Sequence, residues 1–177
     1  KQIQVSHQRK HPIAIVTDSD CDLPEQFIDK HQIHVIPFQI SFGENLFLDK
    51  VTLAPEQFYE LLATDKHHPK SSQPSLRTVQ NYFSFLSSHY KSIIVVHISD
   101  KLSGVYQQSI AAAKKMKGYK INVISSKHLS VSQGLIVKRI ADAVAAGTHA
   151  VAQTGRHDLP GSWPWSIRSN EQERESV

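Results

Sequence analysis

Ile98-Ser99-Asp100-Lys101-Leu102-Ser103-Gly104-Val105-Tyr106-Gln107-Gln108-Ser109 joins two segments of different periodicity. Ser92-Ile93-Ile94-Val95-Val96-His97 precedes it, a β-branched run that reads as a buried strand. Val105 to Met116 follows, apolar and alanine-rich, and reads as a helix. Ser103 stands where an N-cap belongs, with a hydroxyl able to accept from a backbone N–H of the first turn. Gly104 carries no side chain, so a ligand can approach the backbone closely. A strand, a small-residue loop and a helix N-terminus together suit an anion such as a carboxylate or phosphate. An ordinary capped βα turn uses the same residues, so the stretch alone leaves both readings open.

The same unit recurs on either side. Ile13-Ala14-Ile15-Val16-Thr17 is a compact apolar strand that runs directly into Asp18-Ser19-Asp20-Cys21-Asp22. Pro24 then fits the first turn of a helix reaching about Lys30. Three carboxylates in five residues suggest Mg²⁺ coordination or helix capping, and capping is the commoner use of Asp just before a helix. Ile33–Ile36 is a second strand, ended by Pro37. Phe38–Phe42, the turn Gly43-Glu44-Asn45 and Leu46–Leu48 predict a small hairpin added to the sheet. Pro55-Glu56 opens an amphipathic helix carrying Phe58, Leu61 and Leu62.

Thr64 to Pro74 reads as a polar loop that ends in Ser71-Ser72-Gln73-Pro74-Ser75. Two hydroxyls in a row, constrained by Pro74, can donate to an oxyanion, although serine is common in loops generally. Ser75 can cap a helix with Val79, Tyr82, Phe83 and Leu86 on its apolar face. Beyond the central stretch, Gly118 is expected to end the helix, and Ile121–Ile124 is another strand. Ser125–Ser130 forms its loop, and the last helix contains Gln133 and Gly134 and stops at Gly147.

Strands alternating with helices predict an α/β fold: a mostly parallel sheet flanked by helices, with right-handed crossovers. Ligands of such sheets bind outside the carboxyl ends of the strands, where the acidic, Ser99–Ser103 and Ser125–Ser130 loops all project. No general base is evidently paired with a serine, and neither a Walker lysine motif nor a dinucleotide glycine fingerprint is present. The residues therefore predict a binder of a small anion rather than an enzyme, with no cofactor and no metal.

Composition narrows the setting. The 177 residues are 40% hydrophobic and 20% charged, ordinary for a globular chain. The net charge of +4 is scattered, without a basic stripe interleaved with aromatics, which argues against nucleic-acid binding. Eleven His residues form no convincing ligand pair. The lone Cys21 excludes an internal disulfide and fits a reducing cytoplasm. No apolar run reaches membrane-spanning length and no signal peptide is visible, so stable membrane insertion is not expected. The expected organisation is a polar N-terminal tail over 1–12, one α/β domain over 13–147 and an atypical tail over 148–177. The opening at Lys1 instead of Met fits a processed or excised fragment.

Four ordered motifs resemble the DegV family of bacterial fatty-acid-binding proteins. Thr17-Asp18-Ser19-Asp20-Cys21-Asp22-Leu23-Pro24 resembles its opening strand and loop, and Phe47-Leu48-Asp49 through Phe58-Tyr59 is similar to the segment that follows. Ser71-Ser72-Gln73-Pro74-Ser75 resembles the family's Thr-Ser-Gln-Pro-Ser, with serine for threonine at 71. Ile98-Ser99 through Tyr106-Gln107 resembles Ile-Ser-Ser-x-Leu-Ser-Gly-Thr-Tyr-Gln, departing at Asp100 and Val105. Ser125-Ser126 stands where the family has Asp-Ser.

The resemblance implies a two-domain protein that encloses one long-chain fatty acid and presents it to a separate fatty acid kinase. By motif, Ser71 and Ser72 match the hydroxyl pair that holds the carboxylate, Ser103 matches the serine of Leu-Ser-Gly, and Gly104 gives backbone access. Asp100 would repel a carboxylate and is expected to point away. Residues 148–177, with Trp163-Pro164-Trp165 and a charged end, do not resemble the start of the second domain, and a truncated or altered C-terminus is expected to weaken lipid retention. Two alternatives are a module that docks the kinase without lipid and, last, a metal-dependent enzyme built on Asp18, Asp20 and Asp22.

Overall fold

The computed structural model describes residues 12–147. The expected tails over 1–12 and 148–177 lie outside the described residues, Pro12 apart. In chain order the elements are β1 (Ile13–Asp18), α1 (Glu25–His31), β2 (His34–Ile36), β3 (Gln39–Phe42), β4 (Asn45–Leu48), α2 (Pro55–Thr64), β5 (Lys70–Ser72), α3 (Leu76–Ser87), β6 (Ser92–His97), α4 (Val105–Lys115), β7 (Lys120–Ser125) and α5 (Ser130–Ala145).

Four strands form a sheet in the order β2-β1-β6-β7, and every pairing is parallel. The register sets Val16 against His34, Ile15 against Ile94 and Val95 against Val123. All six residues of both β1 and β6 are buried, because helices cover both faces of the sheet. Strand alternation divides their apolar side chains between two cores. Ile13, Ile15, Ile94 and Val96 pack with Val137, Ile140, Ala141 and Val144 of α5, and Phe27 and Ile28 of α1 lie against them. Ala14, Val16, Ile93 and Val95 pack on the other face with Val79, Phe83 and Leu86 of α3 and Ala112 of α4. Tyr82 lies partly buried beside that core and donates its hydroxyl to the Val35 carbonyl at 3.1 Å.

Three local expectations change. The hairpin β3–β4 does not extend the main sheet. It forms a separate antiparallel sheet in the order β4-β3-β5, with Ile40 opposite Phe47 on one side and Ser71 on the other. β5 comes from the stretch that reads as polar loop: Lys70–Ser72 completes the ladder on the free edge of β3, a tertiary pairing that its composition does not announce. The N-cap of α4 is Gly104, not Ser103, and α4 ends at Lys115 with Met116 as its C-cap and Gly118 following at a φ of 89°. Gly147 follows the C-cap of α5 at a φ of 77°, the left-handed geometry that glycine adopts without steric cost.

Candidate functional site

The carboxyl edge of the parallel sheet gathers the loops that follow β1, β6 and β7. The Ser99 N–H donates to the His128 carbonyl at 2.8 Å, and the Ser126 N–H donates to the His97 carbonyl at 2.8 Å. Asp100 turns toward β7: its Oδ1 accepts from Lys127 Nζ and from the Ser125 hydroxyl, each at 2.6 Å. The Lys127 ammonium, with the Ser125 hydroxyl second, holds the Asp100 carboxyl down at about 2. Neither partner follows from the family motif, whose Asp-Ser pair is Ser125-Ser126 in this chain.

The acidic stretch does not cap α1, whose N-cap is Pro24 without a side-chain bond. Among the described residues no group of three His, Cys, Asp or Glu side chains could hold a metal ion. Each aspartate already has partners. Asp20 accepts from the Ser130 N–H at 2.9 Å, so it satisfies the first turn of α5, a helix that begins 110 residues later. Burial pushes the Asp20 carboxyl up, and that backbone bond opposes the shift. Asp22 accepts from Lys50 Nζ at 2.5 Å and from the Ser130 hydroxyl at 2.7 Å. Burial raises Asp22, but Lys50 and Ser130 outweigh it and leave the carboxyl below its ordinary value.

Asp18 is the buried centre of the edge. Its Oδ2 accepts from the Ile98 N–H at 2.8 Å and from His97 Nδ1 at 2.9 Å, and its Oδ1 accepts from Gln133 Nε2 at 2.8 Å. A carboxylate only accepts, so Nδ1 of His97 carries a proton. His97 Nε2 meets the Ser109 hydroxyl on α4 at 2.7 Å. Asp18, His97, Ser109 and Gln133 are each at most 1% exposed. Serine, histidine and aspartate thus stand in line, but Ser109 is sealed inside α4 and no substrate can reach its hydroxyl. The arrangement fastens β1, β6, α4 and α5 together beneath the Ile98–Gly104 loop. Sequence reasoning missed it because His97 and Ser109 lie at the ends of apolar segments; a histidine closing a fully buried strand was the one visible signal.

The candidate binding residues lie above this network. Ser103 Oγ accepts from the Val105 N–H at 3.3 Å, so the hydroxyl meets the first helical N–H although the residue precedes the N-cap. The helical ladder starts with the Gln108 N–H on the Gly104 carbonyl, which leaves the N–H groups of Tyr106 and Gln107 without intrahelical acceptors. Ser71 and Ser72 are exposed neighbours on β5, and adjacent strand residues point to opposite faces. The structure therefore does not bring their two hydroxyls together. Ser72 Oγ lies 3.4 Å from Gln39 Oε1, a long contact.

Gln73 links the two serine motifs. A Cβ on Gly104 would stand 2.5 Å from Gln73 Oε1 and 3.1 Å from Nε2. The φ of Gly104 is −79°, which any residue adopts, so glycine there leaves room for the Gln73 amide and is not demanded by the backbone conformation. Exposed apolar side chains lie on the same edge: Leu102 at 60%, Leu129 at 52% and, one turn apart on α5, Val131 at 59% and Leu135 at 57%. An open depression of about 280 Å³ is lined by Asp22, Ile40, Lys50, Leu53, Phe58 and Tyr59, at the lower end for a small-molecule pocket. No helix among the described residues is long and apolar enough to cross a membrane.

A parallel sheet covered by helices on both faces, with three loops gathered at its carboxyl edge, defines an α/β domain of the parallel class. The chain belongs to the DegV family: the family model described as "Uncharacterised protein, DegV family" matches residues 12–154. A DegV domain-containing protein of Clostridium perfringens is 35% identical over 136 residues, which is 76% of this chain and 48% of that protein. The crystal structure of DegV from Bacillus subtilis, described as a fatty acid binding protein, superposes with a TM-score of 0.74 at 28% identity, over 77% of this chain and 49% of that one. A stearic acid-binding protein from Eubacterium ventriosum gives 0.69 at 30% identity, over 76% and 48%. The chain spans about half the length of the relatives it matches.

Proposed function

We propose that this domain holds the carboxylate end of a long-chain fatty acid and presents it to a separate fatty acid kinase, itself carrying out no chemical step. The single observation that carries this reading is the seating of Gln73 on Gly104. It joins the Ser71–Ser72 segment to the Ser103 turn at the start of α4, in a chain whose structural relatives are fatty acid binders. The head group lies against Ser103 and the uncapped first turn of α4, with backbone access at Gly104. Strand alternation lets one hydroxyl of the Ser71–Ser72 pair face it.

Neutral donors at a helix N-terminus stabilise a carboxylate without a salt bridge. Leu102, Leu129, Val131 and Leu135 offer the first methylenes an apolar surface, and each CH₂ removed from water contributes about 0.8 kcal/mol. The cytoplasm is the proposed location, in keeping with the single thiol at Cys21.

Native mass spectrometry of the gently purified chain, with lipid extraction of the same sample, tests the reading. A bound mass matching a fatty acid, lost in a folded Ser103→Ala variant, is the expected result. Single Ser71→Ala and Ser72→Ala variants then show which of the pair contributes. An apo mass with no uptake of added palmitate or oleate would overturn it.

A further inference from the structure

Residues 39–72 form a lobe beside the parallel sheet. Among the described residues, neither core of that sheet takes a side chain from β3, β4, α2 or β5. The lobe has a small aromatic centre instead: Phe42, 1% exposed, meets Phe47 and Phe58 edge to face at ring distances of 6.5 and 5.8 Å. Ser19, buried on the loop after β1, receives both ends of the β3–β4 hairpin. Its hydroxyl accepts from the Phe38 N–H at 3.0 Å, just before the hairpin begins. Its carbonyl accepts from Lys50 Nζ at 2.7 Å, just after the hairpin ends. Lys50 Nζ also donates to Asp22 Oδ1, and the other oxygen of Asp22 accepts from the Ser130 hydroxyl at the start of α5. Lys50 reaches these partners at a φ of 59°, a left-handed backbone that favours glycine and that a long side chain keeps where its surroundings hold it.

We propose that Lys50 is a positioning residue: its ammonium pins the 39–72 lobe to the loop after β1 and the start of α5, and so holds the strand that carries Ser71 and Ser72 at the carboxyl edge. The ligand half of the proposal rests on the fatty-acid reading above; the pin itself does not. β5 pairs with the side of β3 away from β4, so fastening the hairpin at both ends fixes β5 as well. Loss of the pin frees the lobe to swing about its two connections without disturbing either core. The Lys50 and Asp22 side chains are 38% and 46% exposed, so salt screens the pair and loosens the lobe. Methionine keeps the apolar stem of Lys50 and removes its donors, whereas arginine keeps both a cation and donors. Glycine removes the stem and the backbone strain together.

Amide hydrogen exchange followed by NMR on the ligand-free full chain tests the pin, for the wild type and for Lys50→Met, Lys50→Gly and Lys50→Arg. The Phe38 N–H reads it from the far end of the hairpin, away from the substitution. Lys50→Met is expected to speed Phe38 exchange about tenfold, the worth of one hydrogen bond to a charged group, with the amides of β1 and β6 unchanged. Lys50→Gly is expected to do the same although its backbone is relaxed, and Lys50→Arg to stay near the wild type. Sodium chloride at about 1 M, where charges are screened beyond about 3 Å, is expected to speed the wild type and leave Lys50→Met unmoved. Dissociation of a fluorescent fatty acid from the same proteins is expected to quicken by a similar factor in Lys50→Met and Lys50→Gly. A merely structural role would speed exchange in β1 and β6 as well. Unchanged Phe38 exchange in Lys50→Met, or faster exchange with unchanged dissociation, overturns the proposal while the fatty-acid reading stands. A wild type that binds no fatty acid overturns that reading and the ligand half with it, and the exchange rates still decide the pin.

Discussion

Replacing Asp18 with alanine tests whether the buried network organises the carboxyl edge. The carboxylate is 0% exposed as a residue and takes three N–H donors, from Ile98, His97 and Gln133. Alanine removes every acceptor at once. The Ile98 N–H belongs to the backbone and cannot turn away, while the ring and the amide lie in a closed core. Each buried donor left without an acceptor costs about 1–3 kcal/mol. With a urea m-value of about 2 kcal/mol/M, a loss of about 4 kcal/mol moves the midpoint down by about 2 M.

Asp18→Asn is the discriminating control. Its carbonyl can keep Ile98 and His97, and its NH₂ then faces Gln133. Gln133 Oε1 is buried without a partner, so turning that amide over offers the acceptor the new NH₂ needs. The turn leaves a buried amide donor in the place of the orphaned oxygen, a penalty of about 1–3 kcal/mol. Urea unfolding followed by far-UV circular dichroism on the wild type and both variants reads the order directly. The expected order of stability is wild type, then Asn, then Ala. An alanine variant within about 1 kcal/mol of wild type, or an asparagine variant as damaged as alanine, would refute the role assigned to Asp18, since its donors must then find water.

Two further outcomes follow from individual groups. The folded pKa of Asp100, about 2, lies below the ordinary 3.8, so its stabilising contribution is complete above 3.8 and disappears as pH falls through about 2. Lys127→Ala is expected to move that titration up toward 3.8 in a carboxyl-carbon NMR experiment, and an unmoved midpoint would contradict the assigned cause. Burial pushes the Cys21 thiol up to about 11, so at pH 8 it is expected to react with a disulfide reagent only as fast as the domain opens. Rapid stoichiometric labelling of native protein would show the thiol to be accessible.

The parallel sheet was legible because β1 and β6 carry the continuous apolar runs Ile13–Val16 and Ile93–Val96, a pattern that burial on both faces demands. The apolar face of α3 was legible for the corresponding reason at helical period, with Val79, Phe83 and Leu86 buried as the spacing requires. β5 was not, because Lys70-Ser71-Ser72 carries no β-branched or aromatic residue and becomes a strand only when β3 offers its edge. The acidic stretch was half legible. Capping was the right chemistry for Asp20, but the helix it caps starts at Ser130, and no local rule spans that distance. The line from Asp18 through His97 to Ser109 was illegible for the same reason: its bonds join residues 79 and 12 positions apart.

The hydrogen-bonding groups of the edge divide into those met within the protein and those left open. Asp18, Asp20, Asp22 and Asp100 would together repel an anion, yet each is met by donors from neighbouring loops. Their negative charge is thereby answered within the protein, at short range, where Coulomb attraction is strongest. What remains near the start of α4 is donor capacity: the N–H groups of Tyr106 and Gln107 lack intrahelical acceptors. The one orphaned acceptor of the network, Gln133 Oε1, is sealed in the core and out of a ligand's reach. On the proposed reading the satisfied aspartates serve recognition of an acid, because their partners take up the negative charge that would repel it.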